Sequence, residues 1–544
     1  MRVKLLAWAL LIVALVGCEL RDREGVPLNA VVVEVQGNTS LSAWLGVAAK
    51  KFNQAGVKTT TGRPVFARVS FVEAGQAVSD MVAGTAPHLW IPDNDIWIDV
   101  LARNGKTAFQ GNCQSVATSP LVIAMWRPVA EALGWPGRTI GWLDISSLAA
   151  DPTAWAYYSG GQFGASLRLG HTHPGLAGSG ASTLLAVVHA ARNNPATVSA
   201  EMLRQPIVQA SVASFESTVS WFSPTTEQLG RAMRERGVSY LGAAIMYENI
   251  ALQFADGDPA IVPVYPFEGT FVATHPACIN GAADTELQEA ARLFRDYLLG
   301  EDAQALAAGQ GLRPVNTVVT PAAPLDPAYG VDLDQPQTVF GAPSVDAIYA
   351  AQELWQSARK PVNLVMLLDR SGSMRGDKIE SVRRAAVQFV EQMGDQDRLT
   401  LIAFSSRPAV LIEYARIGDA RQDAIDAIND MPASGNTSLY DAIALGTQII
   451  EDTTSSQRTN VMVVLSDGLD TSSARAYSRQ LIVDATAHNT TVFTIAYGAD
   501  ADHDLMRNMA SVGNGNYYQG TEANIAGIYQ DMSAAFGGAA GIGR

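Results

Sequence analysis

Two short apolar runs late in the chain, Asn363-Leu364-Val365-Met366-Leu367-Leu368 and Asn460-Val461-Met462-Val463-Val464-Leu465, show no alternation of polar and apolar positions. Strands read this way when both faces are covered, as in a parallel sheet. Each run stops at a polar loop, Asp369-Arg370-Ser371-Gly372-Ser373 after the first and Ser466-Asp467-Gly468 after the second. Both loops are therefore expected at the carboxyl edge of one sheet. Residues 378–393 place Ile379, Val382, Ala386, Phe389, Val390 and Met393 near one helical face. Further helices are predicted over 420–428, 439–450, 473–487 and 521–536, strands over 399–404 and 491–496, and a last short strand at Tyr517 and Tyr518. Strands alternating with helices predict an α/β fold, a six-stranded Rossmann-like sandwich with right-handed crossovers. No Gly-x-Gly-x-x-Gly or phosphate loop follows the first strand, so a nucleotide is not implied.

The front of the chain carries a second pattern. Val31-Val32-Val33-Glu34-Val35 reads as a strand leading into Gly37-Asn38-Thr39-Ser40 and a helix through Phe52. A similar entry, Ala177-Gly178-Ser179-Gly180-Ala181-Ser182, precedes the apolar run 183–188. Hydroxyl-bearing loops at helix starts leave backbone N–H groups facing a ligand, and the helix dipole favours an anion there. Asn38, Thr39, Ser40, Ser179 and Gly180 are the candidate ligand-binding residues. His171 and His173 are expected in a polar loop, and Tyr247 and Glu248 on the solvated face of a helix over 244–254. Trp90, Trp97, Trp126, Trp142, Trp155 and Trp221 are core or ligand-stacking residues. Residues 317–343 have the Pro, Ala and Asp content of a semi-rigid linker, and a helix is expected over 345–357.

At 544 residues the chain exceeds one ordinary core. Its boundaries are expected at a signal peptide over 1–17, a tether over 18–29, a first unit over 30–320, a linker and helix over 321–358, a second unit over 359–536 and a flexible tail over 537–544. A basic start, an apolar stretch over 5–16 and Leu15-Val16-Gly17-Cys18 look like a bacterial lipoprotein signal. Cys18 would then carry the lipid, and the protein would sit on a bacterial membrane facing outside the cytoplasm. With Cys18 lipidated, Cys113 and Cys278 are left to form one disulfide or to remain two buried thiols. A formal net charge of −15 argues against nucleic acid and anionic lipid surfaces.

Asp369, Ser371 and Ser373, with Thr437 from the stretch Gly435-Asn436-Thr437-Ser438 and Asp467 from the second strand exit, supply hard oxygen donors with few charges. Mg²⁺ prefers that set, and Mn²⁺ or Ca²⁺ are the alternatives. The Asp-x-Ser-x-Ser loop, the distant Thr and the later Asp resemble the metal-ion-dependent adhesion site of von Willebrand factor type A domains, over about 361–536. The resemblance implies that Ser371, Ser373 and Thr437 bind metal directly, and Asp369 and Asp467 directly or through water. It leaves one coordination position for an acidic side chain of a protein partner.

Pro87-His88-Leu89-Trp90-Ile91-Pro92-Asp93, Ser119-Pro120-Leu121-Val122-Ile123-Ala124-Met125 and the helical stretches ending at Gly311-Leu312-Arg313-Pro314 resemble type II periplasmic solute-binding proteins. These are two-lobed clamshells of the molybdate- and sulfate-binding sort. The crossings between lobes are placed at 119–125 and 260–266. Pro92 stands where a Ser of the oxyanion binders is expected. The implied fold is a two-lobed periplasmic-binding-protein-like domain followed by a Rossmann-like type A domain. The implied function is that of a lipid-anchored, non-enzymatic binding protein. Its partners are a protein at the metal and a small molecule in the cleft. The alternative is the substrate-binding component of an importer with an accessory metal domain.

Overall fold

The computed structural model describes residues 25–537, except 165, 456, 488 and 489. Cys18, the expected signal peptide, most of the expected tether and residues 538–544 lie outside the described residues. No helix among the described residues is long and apolar enough to cross a membrane.

Three sheets carry the chain. The first lobe holds a five-stranded sheet in which Val31–Gly37 lies between Val65–Phe71 and Leu89–Ile91, followed by Pro276–Ile279 and Cys113–Ser115. The second lobe holds a six-stranded sheet around Ser119–Trp126, Ala243–Tyr247, Leu169–Thr172 and Val219–Ser223. Both lobes come from interleaved stretches of chain, as a clamshell requires. The outward crossing runs from Ser115 to Ser119, ahead of the strand 119–125 on which the sequence placed it, because Ser119–Trp126 already pairs with strands of the second lobe. The return does not lie at 260–266. Strand Ile261–Val264 pairs antiparallel with Ser119–Trp126 inside the second lobe, and the chain returns between Val272–Ala273 and Pro276–Ile279. An apolar run reports burial, but a crossing is defined by pairing with two sheets, and that is a long-range property.

The third sheet is six-stranded in the order Pro408–Arg416, Arg398–Phe404, Val362–Asp369, Thr459–Ser466, Thr490–Tyr497, Asn514–Gly520. All pairs are parallel except the first, whose edge strand Pro408–Arg416 was not foreseen. Every residue of Val362–Asp369 is buried, which explains its unbroken apolar character. The chain steps outward from that strand to Arg398–Phe404 and later returns to its other side at Thr459–Ser466. The carboxyl ends of those strands thus form the switch point where α/β sheets bind ligands. The helix expected over 473–487 begins at Arg479. Upstream, Ser473 N and Ala474 N donate to Asp470 and Asp441, so side chains hold those N–H groups in a loop. The last helix likewise begins later than expected and spans Ile525–Ala535.

One apolar core runs through the second lobe, helices Ala74–Ala83 and Ile96–Arg103 of the first lobe, helix Val345–Ala358 and one face of the third sheet. Residues 317–343 are anchored to this body. Leu325 and Val331 pack on Leu252 and Ala308, and Arg313 donates to the Leu333 and Gln335 carbonyls. Helix Val345–Ala358 leads into the third sheet past a buried ion pair, Arg359 Nη2 to Asp397 Oδ2 at 2.9 Å.

Candidate functional site

Asp369, Ser371, Ser373 and Asp467 meet at the third sheet's carboxyl edge, and the loop that carries Thr437 is bonded beside them. Register pairs Leu368 with Leu465, which sets Asp369 beside Ser466. Ser466 Oγ donates to Asp369 Oδ2 at 2.6 Å and Ser371 N donates to Asp369 Oδ1 at 2.8 Å, so both carboxylate oxygens are held in place. Ser371 Oγ lies 3.0 Å from Ser373 Oγ, which donates to Asp467 Oδ1 at 2.7 Å. Lys378 Nζ donates to the other oxygen, Asp467 Oδ2, at 2.6 Å.

Backbone bonds join the three loops. Gly372 N donates to Gly435 O at 2.9 Å, Thr437 N to Thr471 Oγ1 at 2.9 Å, and Thr471 N to Thr437 O at 2.8 Å. Asp369, Ser371, Thr437 and Asp467 are buried while Ser373 is exposed, which leaves the cluster open on one side. Burial raises the Asp369 carboxyl above its ordinary value, the bonds from Ser466 and Ser371 oppose this, and the neighbouring Asp467 charge adds to it. A cation would relieve that strain.

The donor set fits a hard divalent ion. Neighbouring oxygens on an octahedron with metal–oxygen bonds of about 2.1 Å are about 3 Å apart. The observed separations of 3.0 and 2.7 Å are close to that spacing. Among the described residues, no group of three or more His, Cys, Asp and Glu is placed to hold a metal. Two carboxylates with three hydroxyls favour Mg²⁺ over softer ions.

In the first two sheets, the candidate residues Asn38 and Thr39 reach a buried group that the sequence reading missed, the carboxyl of Glu73, and Ser179 reaches it only through Thr226. Asn38 Nδ2 donates to Glu73 Oε2 at 2.9 Å, and Thr39 Oγ1 donates to Glu73 Oε1. From the opposite lobe, Thr226 N donates to Glu73 Oε1 at 2.9 Å and Thr226 Oγ1 at 3.3 Å. Ser179 Oγ stands 3.1 Å from Thr226 Oγ1 and 2.7 Å from Thr172 Oγ1. Ser40 bonds to Asn38 Oδ1 through its N and Oγ. Gly178–Ser182 is the first turn of helix Gly178–Ala191, not a separate loop. A Cβ on Gly180 would lie 2.2 Å from the Thr172 carbonyl, and one on Gly178 would lie 1.9 Å from Asp93 Oδ2. Close packing of helix on strand and of lobe on lobe therefore accounts for both glycines.

Asp93, also unforeseen, reaches from the first lobe to accept a hydrogen bond from the Tyr247 hydroxyl of the second. Burial pushes its carboxyl up to about 7, the Tyr247 bond opposes this, and the Glu73 charge adds to it. A lone acid after a strand looks in sequence like ordinary helix-start chemistry, so neither carboxylate stood out.

Several other expectations are corrected. His171 and Thr172 lie in the fully buried strand Leu169–Thr172 and His173 is buried beside it, not in a polar loop. His171 Nε2 meets Glu216 Oε1 at 3.1 Å, which satisfies the ring without a metal. Tyr247 ends strand Ala243–Tyr247 and Glu248 opens helix Glu248–Gln253. Both side chains are fully buried, not on a solvated helix face. Glu248 accepts two 2.7 Å bonds from Arg313. A short apolar run cannot distinguish a buried strand from a buried helix by period. The six tryptophans are at most 7% exposed and pack in the core. Cys113 and Cys278 face each other across a strand pair and are joined as a disulfide.

The sequence pattern of the bacterial extracellular solute-binding proteins matches residues 33–313. The chain belongs to that family. In this solute-binding protein, the von Willebrand factor type A domain pattern matches residues 363–531. An uncharacterized protein of Synechocystis is 29% identical over 158 residues, covering 29% of this chain and 37% of the relative. The inter-alpha-trypsin inhibitor heavy chain H4 of Sus scrofa is 25% identical over 197 residues, covering 34% of this chain and 21% of the relative. The chain thus spans well under half the length of either relative. A solved periplasmic thiamin binding protein is 13% identical, covers 63% of this chain and 99% of its own, and superimposes with a TM-score of 0.45. The extracellular family points to a location outside the cytoplasm. Its two modules are of kinds that generally bind and do not catalyse.

Proposed function

We propose that this solute-binding protein is a lipid-anchored, extracytoplasmic binding protein that grips a protein partner through a divalent metal. Asp369, Ser371, Ser373, Thr437 and Asp467 would hold Mg²⁺, with Mn²⁺ or Ca²⁺ as substitutes. The ion would supply Lewis acidity toward an acidic side chain of the partner. The observation that carries the reading is the gathering of two carboxylates and two hydroxyls from separate loops, at the spacing of neighbouring ligands, on the open edge of the third sheet. Loops stitched by backbone bonds keep those oxygens in place without the ion, so little ordering is left for binding. Cys18 would supply the membrane anchor, and a second acyl chain would make the attachment stable.

Calorimetry on the full chain tests the metal. One Mg²⁺ per chain is expected, with Asp369→Ala abolishing uptake while the far-ultraviolet circular dichroism stays unchanged. Uptake equal to wild type in the folded Asp369→Ala protein rejects the site. A pull-down from native membranes, in Mg²⁺ and again in chelator, then tests whether the partner is held through the metal. Intact-mass measurement of wild type and Cys18→Ser tests the anchor, and an unacylated wild-type protein rejects it.

A further inference from the structure

We propose that the interlobe cleft is an anion site whose anion is the chain's own Glu73 carboxylate, so that the clamshell is held closed without a solute. Glu73 belongs to the first lobe, at the exit of strand Val65–Phe71, and is 3% exposed; burial raises its carboxyl, and the bonds from Thr39, Thr226 and Asn38 oppose this by favouring the charged form. Its carboxylate accepts from Asn38 and Thr39, which open a helix of its own lobe, and from Thr226 N and Oγ1 at the first turn of helix Thr226–Arg236 of the other lobe. Backbone N–H, amide and hydroxyl donors at helix starts on both sides of a cleft make a cradle for a small oxyanion. Here a tethered carboxylate fills it. An external anion would have to displace Glu73 from the same donors, beside the second buried carboxyl of Asp93.

The rest of the interface points the same way. Gly75 N and Gln76 N, at the start of helix Ala74–Ala83, donate to the Leu176 carbonyl of the second lobe at 2.8 and 3.2 Å. A Cβ on Gly75 would come within 2.6 Å of the Gly175 carbonyl, so the backbones touch. The apolar residues of that helix share one core with the second lobe. Helix Val345–Ala358 spans the outside of both lobes. Its Tyr349 hydroxyl accepts from Asn104 Nδ2 at 3.0 Å in the first lobe, and its Trp355 Nε1 donates to Glu216 Oε2 at 3.1 Å in the second. Opening the lobes would break the Glu73 bridge, the Leu176 bonds and this strap together. The first two sheets thus act as a closed platform carrying the metal-binding sheet, and do not cycle open to collect a solute. This inference is independent of the metal centre.

The test is thermal melting of the full chain with chloride-matched sodium formate, acetate, sulfate or phosphate. Wild type is expected to show only the general salt effect of each anion, with no gain in formate or acetate beyond it. Glu73→Ala is expected to melt lower and to regain several degrees in formate or acetate, because a free carboxylate can enter the vacated cradle and binds only the folded state. Saturable stabilisation of wild type at low millimolar anion overturns the proposal, as does a Glu73→Ala protein that gains no more from formate and acetate than wild type does. Should Glu73→Ala fail to fold, Glu73→Gln keeps the volume but presents an amide N–H₂ to the Asn38 donor. Asn38→Asp, which still caps Ser40, is then expected to raise the melting temperature of Glu73→Gln and to lower that of wild type. Failure of that reciprocal rescue also overturns it.

Discussion

Replacing Trp355 with alanine tests whether helix Val345–Ala358 fastens the third sheet to the second lobe. The indole is 1% exposed, stands edge-on to His173 at 4.4 Å and to Phe222 at 5.3 Å between centroids, and donates to Glu216. Emptying a buried Trp site costs about 3–5 kcal/mol. Depriving a buried carboxyl of a donor adds about 1–3 kcal/mol. Trp355→Ala should therefore lose roughly 4–8 kcal/mol. Trp355→Phe keeps most of the ring and should lose only about 1–3 kcal/mol, largely the hydrogen bond. Urea unfolding gives both values. Calorimetric melting adds a second readout, because one core runs through the second lobe, this helix and the third sheet. Wild type should melt in one main transition, and Trp355→Ala should show the third sheet melting separately. Mg²⁺ affinity should not change, since Trp355 is remote from the metal loops. A Trp355→Ala loss below about 1 kcal/mol, or a Trp355→Phe loss as large as the alanine one, refutes the strap as drawn here.

Asp93 predicts a pH dependence with a definite sign. Its folded value of about 7 lies above the ordinary 3.8, so the folded state binds the proton more tightly than the unfolded chain. Its contribution is fully present below pH 4 and lost as pH rises through about 7. The penalty is about 1.4 kcal/mol per pH unit, or roughly 4 kcal/mol in all. Asp93→Asn, measured by urea unfolding from pH 4 to 8, should flatten that part of the profile, and a profile parallel to wild type refutes the assignment. Lys378, 27% exposed, places an ammonium on a metal-site carboxylate. Lys378→Met should tighten Mg²⁺ binding by roughly tenfold in calorimetry, because a neighbouring positive charge opposes the ion. Weaker binding would show that Lys378 supports the bound state.

The strand exits that carry the proposed metal residues were legible because local pattern encodes them. Val362–Asp369 and Thr459–Ser466 are buried along nearly their whole length, so their apolar runs are unbroken. The polar residue ending each run must then stand at a sheet edge, which put the loops of Asp369 and Asp467 on one edge from pattern alone. Edge strand Pro408–Arg416 escaped notice because its residues are only partly buried and its pattern is mixed. Strand Ala243–Tyr247 escaped because five buried residues fit helix and strand equally well.

The cleft was half legible. Hydroxyls and glycines at helix starts marked Asn38–Ser40 and Ser179–Gly180, but the identity of the group that Asn38 and Thr39 hold was not local information. Glu73 meets Thr39 from 34 positions away and Thr226 from 153. Sequence periodicity records which side of an element is dry. Which buried charge meets which donor depends on how distant segments are brought together, and only the tertiary structure decided that Glu73 occupies the cleft.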